Sequence, residues 1–259
     1  MAASADKDAP DIVGSLSKGL KVLEILASAP DGMRLTEVAN AANLARAGAR
    51  RLLLTFVAEG WVLQEGRQFL LSAKLLTVVR NWLGKTPLWR HAVPILRAVS
   101  QSVGESCSVS VLQGEDIVYV ARVVGSSILA ESLDIGARLP AHCTSMGRVL
   151  LSELDDAELA RFLRQITIRA RTPRTVTDPD RLAACVAEVR RNGYAIVDEE
   201  LELGLRSIAV PVRARSGRIV AAVNVSTQTG RHSCEEMRRL FLPHLRWAAE
   251  RIEEYLPLY

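Results

Sequence analysis

Between Leu35 and Leu71 the chain reads helix, tight turn, helix and hairpin, and no other stretch limits the fold as much. Leu35-Thr-Glu-Val-Ala-Asn-Ala-Ala42 carries helical apolar spacing, Asn43 breaks it, and a second helix runs toward Gly60. Trp61-Val-Leu-Gln-Glu-Gly-Arg-Gln-Phe-Leu-Leu71 then folds back at Glu65-Gly66. This is the pattern of a winged helix-turn-helix. At about 100° per residue, Ala49, Leu52, Leu53 and Phe56 share one face of the second helix. Ala47, Arg50 and Arg51 point the other way, with Arg46 at the flank. A merely solvated face would alternate lysine with glutamate. Small residues among guanidinium groups instead suit a helix that enters a DNA groove, where arginine grips phosphate or reads guanine. Lys18, near the start of the first helix, and Arg67, on the wing, are expected as phosphate contacts.

Charge follows the same division. Residues 14–85 hold 10 Lys+Arg against 5 Asp+Glu, whereas the chain beyond Lys85 holds 22 against 21. The basic excess therefore travels with the helix-turn-helix, as attraction to phosphate requires. No apolar run approaches the ~20 residues that cross a bilayer, and the first dozen residues are polar, with Asp6, Lys7, Asp8 and Asp11. A soluble cytoplasmic protein without a signal peptide or membrane contact is expected. Cys107, Cys143, Cys185 and Cys234 are widely spaced, with no Cys-x-x-Cys pair, so buried thiols are expected and neither a metal nor a cofactor.

The expected organisation is a disordered tail over 1–13, the DNA-binding domain over 14–72, a linker helix over 73–86 and a second domain over 87–259. Ser17 is a candidate N-cap for a first helix whose buried stripe is Leu16, Leu20, Leu23 and Ala27, and Thr36 for the next. Ser72 caps the linker helix, with Leu75, Leu76, Val79 and Leu83 along one side until Gly84 and Pro87 end it. Beyond it the pattern turns to mixed α and β. Trp89, Val93, Leu96, Val99 and Val103 suit a helix on a sheet, and residues 107–112 and 117–123 suit paired strands. Thr177 and Asp178 open a helix that ends at Asn192-Gly193. Segments 194–197, 207–213 and 218–226 have the β-branched content of central strands, and Ser233 with Glu236 caps one long final helix to Tyr255.

Gly193-Tyr-Ala-Ile-Val-Asp-Glu-Glu-Leu-Glu-Leu-Gly-Leu-Arg-Ser-Ile-Ala-Val-Pro-Val-Arg213, followed by Gly217-Arg-Ile-Val-Ala-Ala-Val-Asn-Val-Ser226, resembles the signature of IclR-type transcriptional regulators. The likeness extends over nearly the whole chain. It implies an α+β architecture: a winged helix-turn-helix, a linker helix and a GAF- or profilin-like effector domain with an antiparallel sheet. It also implies a homodimer or dimer of dimers on palindromic operator DNA, switched by a small metabolite. Gly136-Ala-Arg-Leu-Pro-Ala-His-Cys-Thr-Ser-Met-Gly-Arg-Val-Leu150 and Gly204-Leu-Arg-Ser207 look most like the branch that governs aromatic-acid catabolism, with protocatechuate or 4-hydroxybenzoate as effector. Two departures stand out. Ala45 replaces the usual Ser or Thr cap of the recognition helix, and Val197 replaces the acidic residue of members that bind small keto acids.

Carried over by motif, the effector pocket is Ile128, His142, Ser145, Met146, Val197, Leu205, Ser207, Asn224 and Ser226. Strand alternation independently puts Asn224 and Ser226 on one sheet face. Arg122, His142 and Arg206 are candidate countercharges for an aromatic carboxylate, with backbone N–H groups after Ser145 as further donors. Asp198, Glu199, Glu200 and Glu202 look like a chelating cluster or, alternatively, solvated or capping charges near Arg206 and Arg190. A sensor of a non-aromatic acid is the alternative reading. An enzyme using Cys143 is the rival class, disfavoured because His142 and Cys143, adjacent on a strand, point apart.

Overall fold

A computed structural model describes residues 12–85, 87–125 and 133–256. The chain divides into two compact units, Met1–Trp82 and Leu83–Tyr259. The expected tail lies almost wholly outside the described residues.

In the first unit, helices α1 (Gly14–Ala27), α2 (Leu35–Ala42) and α3 (Arg46–Ala58) surround a small antiparallel sheet of β1 (Met33–Arg34), β2 (Val62–Glu65) and β3 (Gln68–Leu71), in the order β1-β3-β2. Val22, Leu26, Val38, Ala42, Leu53, Val62 and Phe69 form its core. The α2–α3 turn depends on Asn43, held at φ 53, a left-handed conformation that asparagine tolerates better than most residues. The start of α4 (Lys74–Lys85) is fastened to the end of α3: Ser72 Oγ donates to the Gly60 carbonyl, and Lys74 Nζ donates to that of Glu59 at 2.6 Å while lying over the Trp61 ring.

Several local expectations change here. Ser17 is not an N-cap, because α1 begins earlier and the Ser17 N–H already bonds the Val13 carbonyl at 3.1 Å. Leu16 and Leu20 are 61% and 53% exposed, and the buried stripe is Gly19, Val22 and Leu26. The cause is Gly19: a Cβ there would meet the Phe56 ring at 3.1 Å, so α1 turns its smallest residue toward α3. Thr36 lies inside α2, whose first turn is closed by Glu37 accepting from the Arg34 N–H at 2.7 Å. On α4, Leu75 is half-buried, Leu76 and Val79 are exposed, and the Leu83 side chain lies outside the described residues.

Pro87 opens the second unit's helix α5 (Pro87–Val103), a position that suits a residue without an N–H. Its sheet comprises β4 (Ser106–Gln113), β5 (Asp116–Val123), β6 (Arg138–Pro140), β7 (Ala195–Asp198), β8 (Leu205–Arg213) and β9 (Ile219–Gln228). All pairings are antiparallel, in the order β6-β5-β4-β9-β8-β7. The segment at 194–197 is thus an edge strand and not a central one. One face packs on α5 and the C-terminal helices through Leu96, Val109, Val223, Val225, Phe241 and Leu245. The other carries α6 (Ser145–Leu151) and α8 (Pro179–Asn192), with α7 (Asp156–Gln165) packed on α8. The expected single final helix is two, α9 (Cys234–Leu240) and α10 (Leu242–Glu253), because Pro243 has no N–H with which to continue the ladder. No helix among the described residues is long and apolar enough to cross a membrane.

Every residue of α6 is buried. Thr144 caps it by accepting the Gly147 N–H at 3.2 Å, and the preceding 3-10 turn, Ala141–Cys143, lies directly against the helix backbone. A Cβ on Gly147 would stand 2.1 Å from the Ala141 carbonyl oxygen, a backbone atom that cannot swing aside. Gly147→Ala is therefore expected to lower stability by at least the ~1–3 kcal/mol typical of overpacking. Gly230→Ala, where a Cβ meets nothing within 4 Å, should stay within about 0.5 kcal/mol of wild type. Urea melts of the two variants check this; equal midpoints would remove the close approach from the account.

Candidate DNA-binding face and ligand site

On α3, Ala49 and Leu53 are fully buried and Leu52 and Phe56 half-buried, while Arg46, Ala47, Arg50 and Arg51 are exposed. Lys18 and Arg67 are exposed as well. None of these five cations enters an ion pair with a described residue. Lys18 and Arg51 line one groove of about 660 Å³ between α1 and α3, floored by Gly19, Leu52 and Phe56. Ala45 makes no side-chain cap to α3, and among the described residues no other side chain bonds the first-turn N–H groups at the end where Arg46 lies.

In the second unit, register brings the polar residues of four strands into line. Arg122 stands opposite Ser108, Ser108 opposite Asn224, and Asn224 opposite Ala209. In the next row Ser106 faces Ser226, Ser226 faces Ser207, and Ser207 faces Val197. Opposed residues in an antiparallel pair share a face, and this is the face that α6 covers, since Ser110 Oγ donates to Met146 Sδ at 3.2 Å. Val197, Ser207, Asn224 and Ser226 are thus brought together on the sheet beneath α6, whose Ser145 and Met146 stand over them. Leu205 lies at the end of β8, half-buried. Ile128 lies outside the described residues.

Three buried polar atoms of this face have no partner among the described residues: Arg122 Nε, Ser145 Oγ and Asn224 Oδ1. Each such atom ordinarily costs about 1–3 kcal/mol. Asn224 spends its other end on Ser226, with Nδ2 donating to Oγ at 3.0 Å, which fixes the amide so that Oδ1 points away. Tyr119, against Arg122, has its phenol pushed up to about 12 by burial, partly offset by that guanidinium. It is a hydrogen-bond donor at any ordinary pH. A carboxylate paired with Arg122, or a phenolic hydroxyl meeting Asn224 Oδ1, matches these groups.

The three candidate countercharges separate. Arg206 is committed to Asp198 at 2.7 Å and to the His232 carbonyl. His142 is 3% exposed and turned elsewhere, its Nε2 3.3 Å from the Arg169 carbonyl in a cleft with Asp116 and Arg171. Arg122 alone lies in the sheet-face row. The acidic cluster is engaged with arginines, and no group of three metal-ligating side chains occurs among the described residues. Asp198 and Glu199 pair with Arg174, and Glu200 pairs with Arg148 at 2.7 Å with both side chains buried. Arg190 is not near these glutamates; it holds Asp156.

Ser106, Ser108 and Ser110 are the site residues that sequence reading passed over. Their signal was present in the alternation Ser-Cys-Ser-Val-Ser, small polar residues on one face and apolar ones on the other. Cys143 does not have a nucleophile's environment. It is buried in the 3-10 turn, its Sγ faces the Pro140 carbonyl at 3.9 Å, and burial pushes its thiol up to about 11. At pH 8 that leaves roughly one part in a thousand as thiolate. Iodoacetamide at pH 8 followed by peptide mass mapping is expected to alkylate the half-buried Cys185 and Cys234 well before Cys143. Labelling of Cys143 at the same rate would restore it as a reactive group.

Comparison with known proteins gives the same two-part organisation. The model of the IclR helix-turn-helix domain matches residues 15–66, and that of the bacterial transcriptional regulator IclR C-terminal domain matches residues 80–254. The Pca regulon regulatory protein of Pseudomonas putida is 40% identical over 237 residues, 91% of this chain and 81% of that protein. The p-hydroxybenzoate hydroxylase transcriptional activator of Acinetobacter baylyi is 31% identical over 247 residues, 93% of this chain and 91% of that one. An IclR homologue from Microbacterium hydrocarbonoxydans, solved in complex with 4-hydroxybenzoate, superimposes with a TM-score of 0.81 at 25% identity, covering 93% of this chain and 98% of its own. The chain belongs to the IclR family of bacterial transcriptional regulators.

Proposed function

We propose that the protein is a ligand-responsive, sequence-specific DNA-binding regulator that controls catabolism of an aromatic acid, with 4-hydroxybenzoate or protocatechuate as the effector type. The observation that carries the ligand reading is the set of buried polar atoms between the sheet and α6 that have no partner among the described residues, Arg122 Nε, Asn224 Oδ1 and Ser145 Oγ. One cation and two acceptors suit a ring with a carboxylate at one end and a hydroxyl at the other. Val197, buried beside Ser207, supplies an apolar wall where a small keto acid would want a polar one. The named functions of two relatives and the ligand of a third point the same way.

The DNA reading rests on the exposed, unpaired guanidinium groups of α3, with Lys18 and Arg67 as phosphate contacts. We place the protein in the cytoplasm with its operator and read it as a homodimer or dimer of dimers. In support, Ile12, Val13, Leu16 and Leu20 on and just before α1 and Leu76, Val78 and Val79 on α4 are all at least 46% exposed, apolar side chains that a second copy of the chain could cover. On a palindrome the two recognition helices must reach major grooves about 34 Å apart or a multiple of it. A ligand that prefers one spacing shifts DNA affinity by its differential affinity for the two arrangements and no more.

For the DNA face, Arg50→Ala is expected to weaken operator binding and to reduce the slope of log affinity against log salt by about 0.9, one phosphate contact. Affinity and slope that match wild type would take Arg50 out of the interface. For the ligand site, calorimetry with 4-hydroxybenzoate and protocatechuate is expected to show saturable binding that falls at least tenfold in Arg122→Met and in Ser207→Val. Binding that survives both substitutions would move the site off this sheet face.

A further inference from the structure

His142 belongs to the resemblance-derived pocket, yet the structure gives it to a separate cleft of about 500 Å³. One wall is the turn before β5, with Glu115 and Asp116; the other is the segment after α7, with Thr167, Arg169 and Arg171; His142 lies between them. None of these residues is in the sheet-face rows.

The charges of this cleft are unevenly spent. Asp116 is paired with Arg138 at 3.1 Å, and Arg138 is further held by Gln113. Arg169 and Arg171 are exposed and enter no ion pair with a described residue. Glu115 is exposed and unpaired likewise. Two free guanidinium groups therefore face one free carboxylate, and the surplus is a single positive charge. The sequence shows why: residues 159–177 contain five arginines and no acid, a run hidden in the near-neutral total of this half of the chain. Among the described residues, Arg174 is the one of the five that is neutralised, by Asp198 and Glu199.

The imidazole is fixed in place. Its Nε2 lies 3.3 Å from the Arg169 carbonyl, which leaves Nδ1 with no hydrogen-bond partner among the described residues. The His142 carbonyl accepts from Arg148 Nε at 3.3 Å, and Arg148 is the buried cation of α6. Glu200, its partner, also accepts the Val176 N–H at 3.0 Å, while Thr172 and Thr175 hold the Glu199 and Glu200 carbonyls. The cleft thus shares α6 with the sheet-face site without sharing any side chain with it.

We infer that this cleft is a second ligand site, which takes a small oxyanion, a metabolite's carboxylate or inorganic phosphate, between Arg169 and Arg171 with His142 at its floor. An anion there meets guanidinium donors and an anchored ring whose free nitrogen can take up a proton. The groups that face the ring set the direction of its pH dependence. Burial lowers the pKa of His142, the Arg169 carbonyl raises it, Arg148 lowers it, Glu200 raises it and Arg171 lowers it, with Glu115 and Asp116 across the cleft. The empty site therefore holds a neutral imidazole near pH 7. A bound anion favours the imidazolium, so affinity rises as pH falls, tenfold for each unit by which the anion raises that pKa.

The test follows the His142 ring resonances of the full-length protein by NMR, with assignment by their loss in His142→Gln, while inorganic phosphate or succinate is titrated at pH 6 and at pH 8. The expected result is a saturable shift of His142 that is tighter at pH 6, present in wild type and absent in Arg169→Ala/Arg171→Ala. Which of the two probes saturates identifies the oxyanion source. If the double variant fails to melt cooperatively, Arg171→Gln alone carries the same comparison. A wild-type response that never saturates with either probe, or one that the arginine variants retain, overturns the proposal. Calorimetry of 4-hydroxybenzoate on the same variants keeps the two sites apart, since binding at the sheet face is expected to persist when Arg169 and Arg171 are replaced.

Discussion

The effector domain depends on a guanidinium that has no business inside a protein unless it is fully met. Arg148 is 5% exposed on a helix of which every residue is buried, and it is answered by Glu200 at 2.7 Å and the His142 carbonyl at 3.3 Å. Removing one partner of such a pair typically costs about 3–5 kcal/mol, because the other charge stays buried. The pair also fixes geometry. Its members come from α6 and from the turn between β7 and β8, and Glu200 reaches a third segment through the Val176 N–H. With Gly147 pressing α6 onto the 3-10 turn, these contacts set where Ser145 and Met146 stand over the sheet.

Antiparallel register does the rest. Polar residues from β4, β5, β8 and β9 can form a row only if the pairing keeps them opposite one another, and a slip of one residue would turn the whole set to the α5 and α10 face. The bulge between Val109 and Ser110 accommodates this: it keeps Ser110 opposite Tyr119 under α6 while Val109 and Ala121 remain in the other core. The site is therefore an interruption in an otherwise apolar layer. Ala195, Ala209 and Ala222 surround it with side chains too short to reach its polar groups.

Local pattern was enough to read the helix-turn-helix and most strands, because helix and strand periods, Asn43, Gly66 and the Ser233–Glu236 box act within a few residues. The errors were of two kinds. Some local signals mislead: Ser17 is a good N-cap residue, yet α1 begins at Gly14 with no side-chain cap, and the final helix is broken at Phe241, just before Pro243. Where the answer lay far away in sequence, nothing local could give it. Arg122, His142 and Arg206 are indistinguishable as letters; what separates them is that Arg206 meets Asp198 across a strand pair, His142 meets Arg169 and Arg122 Nε meets no described residue. Arg148 and Glu200, 52 positions apart, carry no sign in the sequence that they are a pair.

The same separation bears on how a bound ligand reaches DNA. Coupling between two sites is a free energy shared by both, so whatever the effector does to operator affinity, the operator does in equal measure to effector affinity. Such coupling needs an element with two arrangements that both sites bias. Within the second unit, β4 carries Ser106, Ser108 and Ser110 on the polar sheet face beneath α6, and its first residue follows Gly104 and Glu105 at the end of α5. Glu105 is completely buried and accepts from Thr227 Oγ1 at 2.8 Å and Arg231 Nε at 2.9 Å, while its carbonyl accepts from Ser100 on α5. Ser108 and Glu105 thus lie at the same end of β4, where the polar sheet face adjoins the hydrogen bond from Ser100 that ties the strand to α5, the helix nearest the DNA-binding half in sequence.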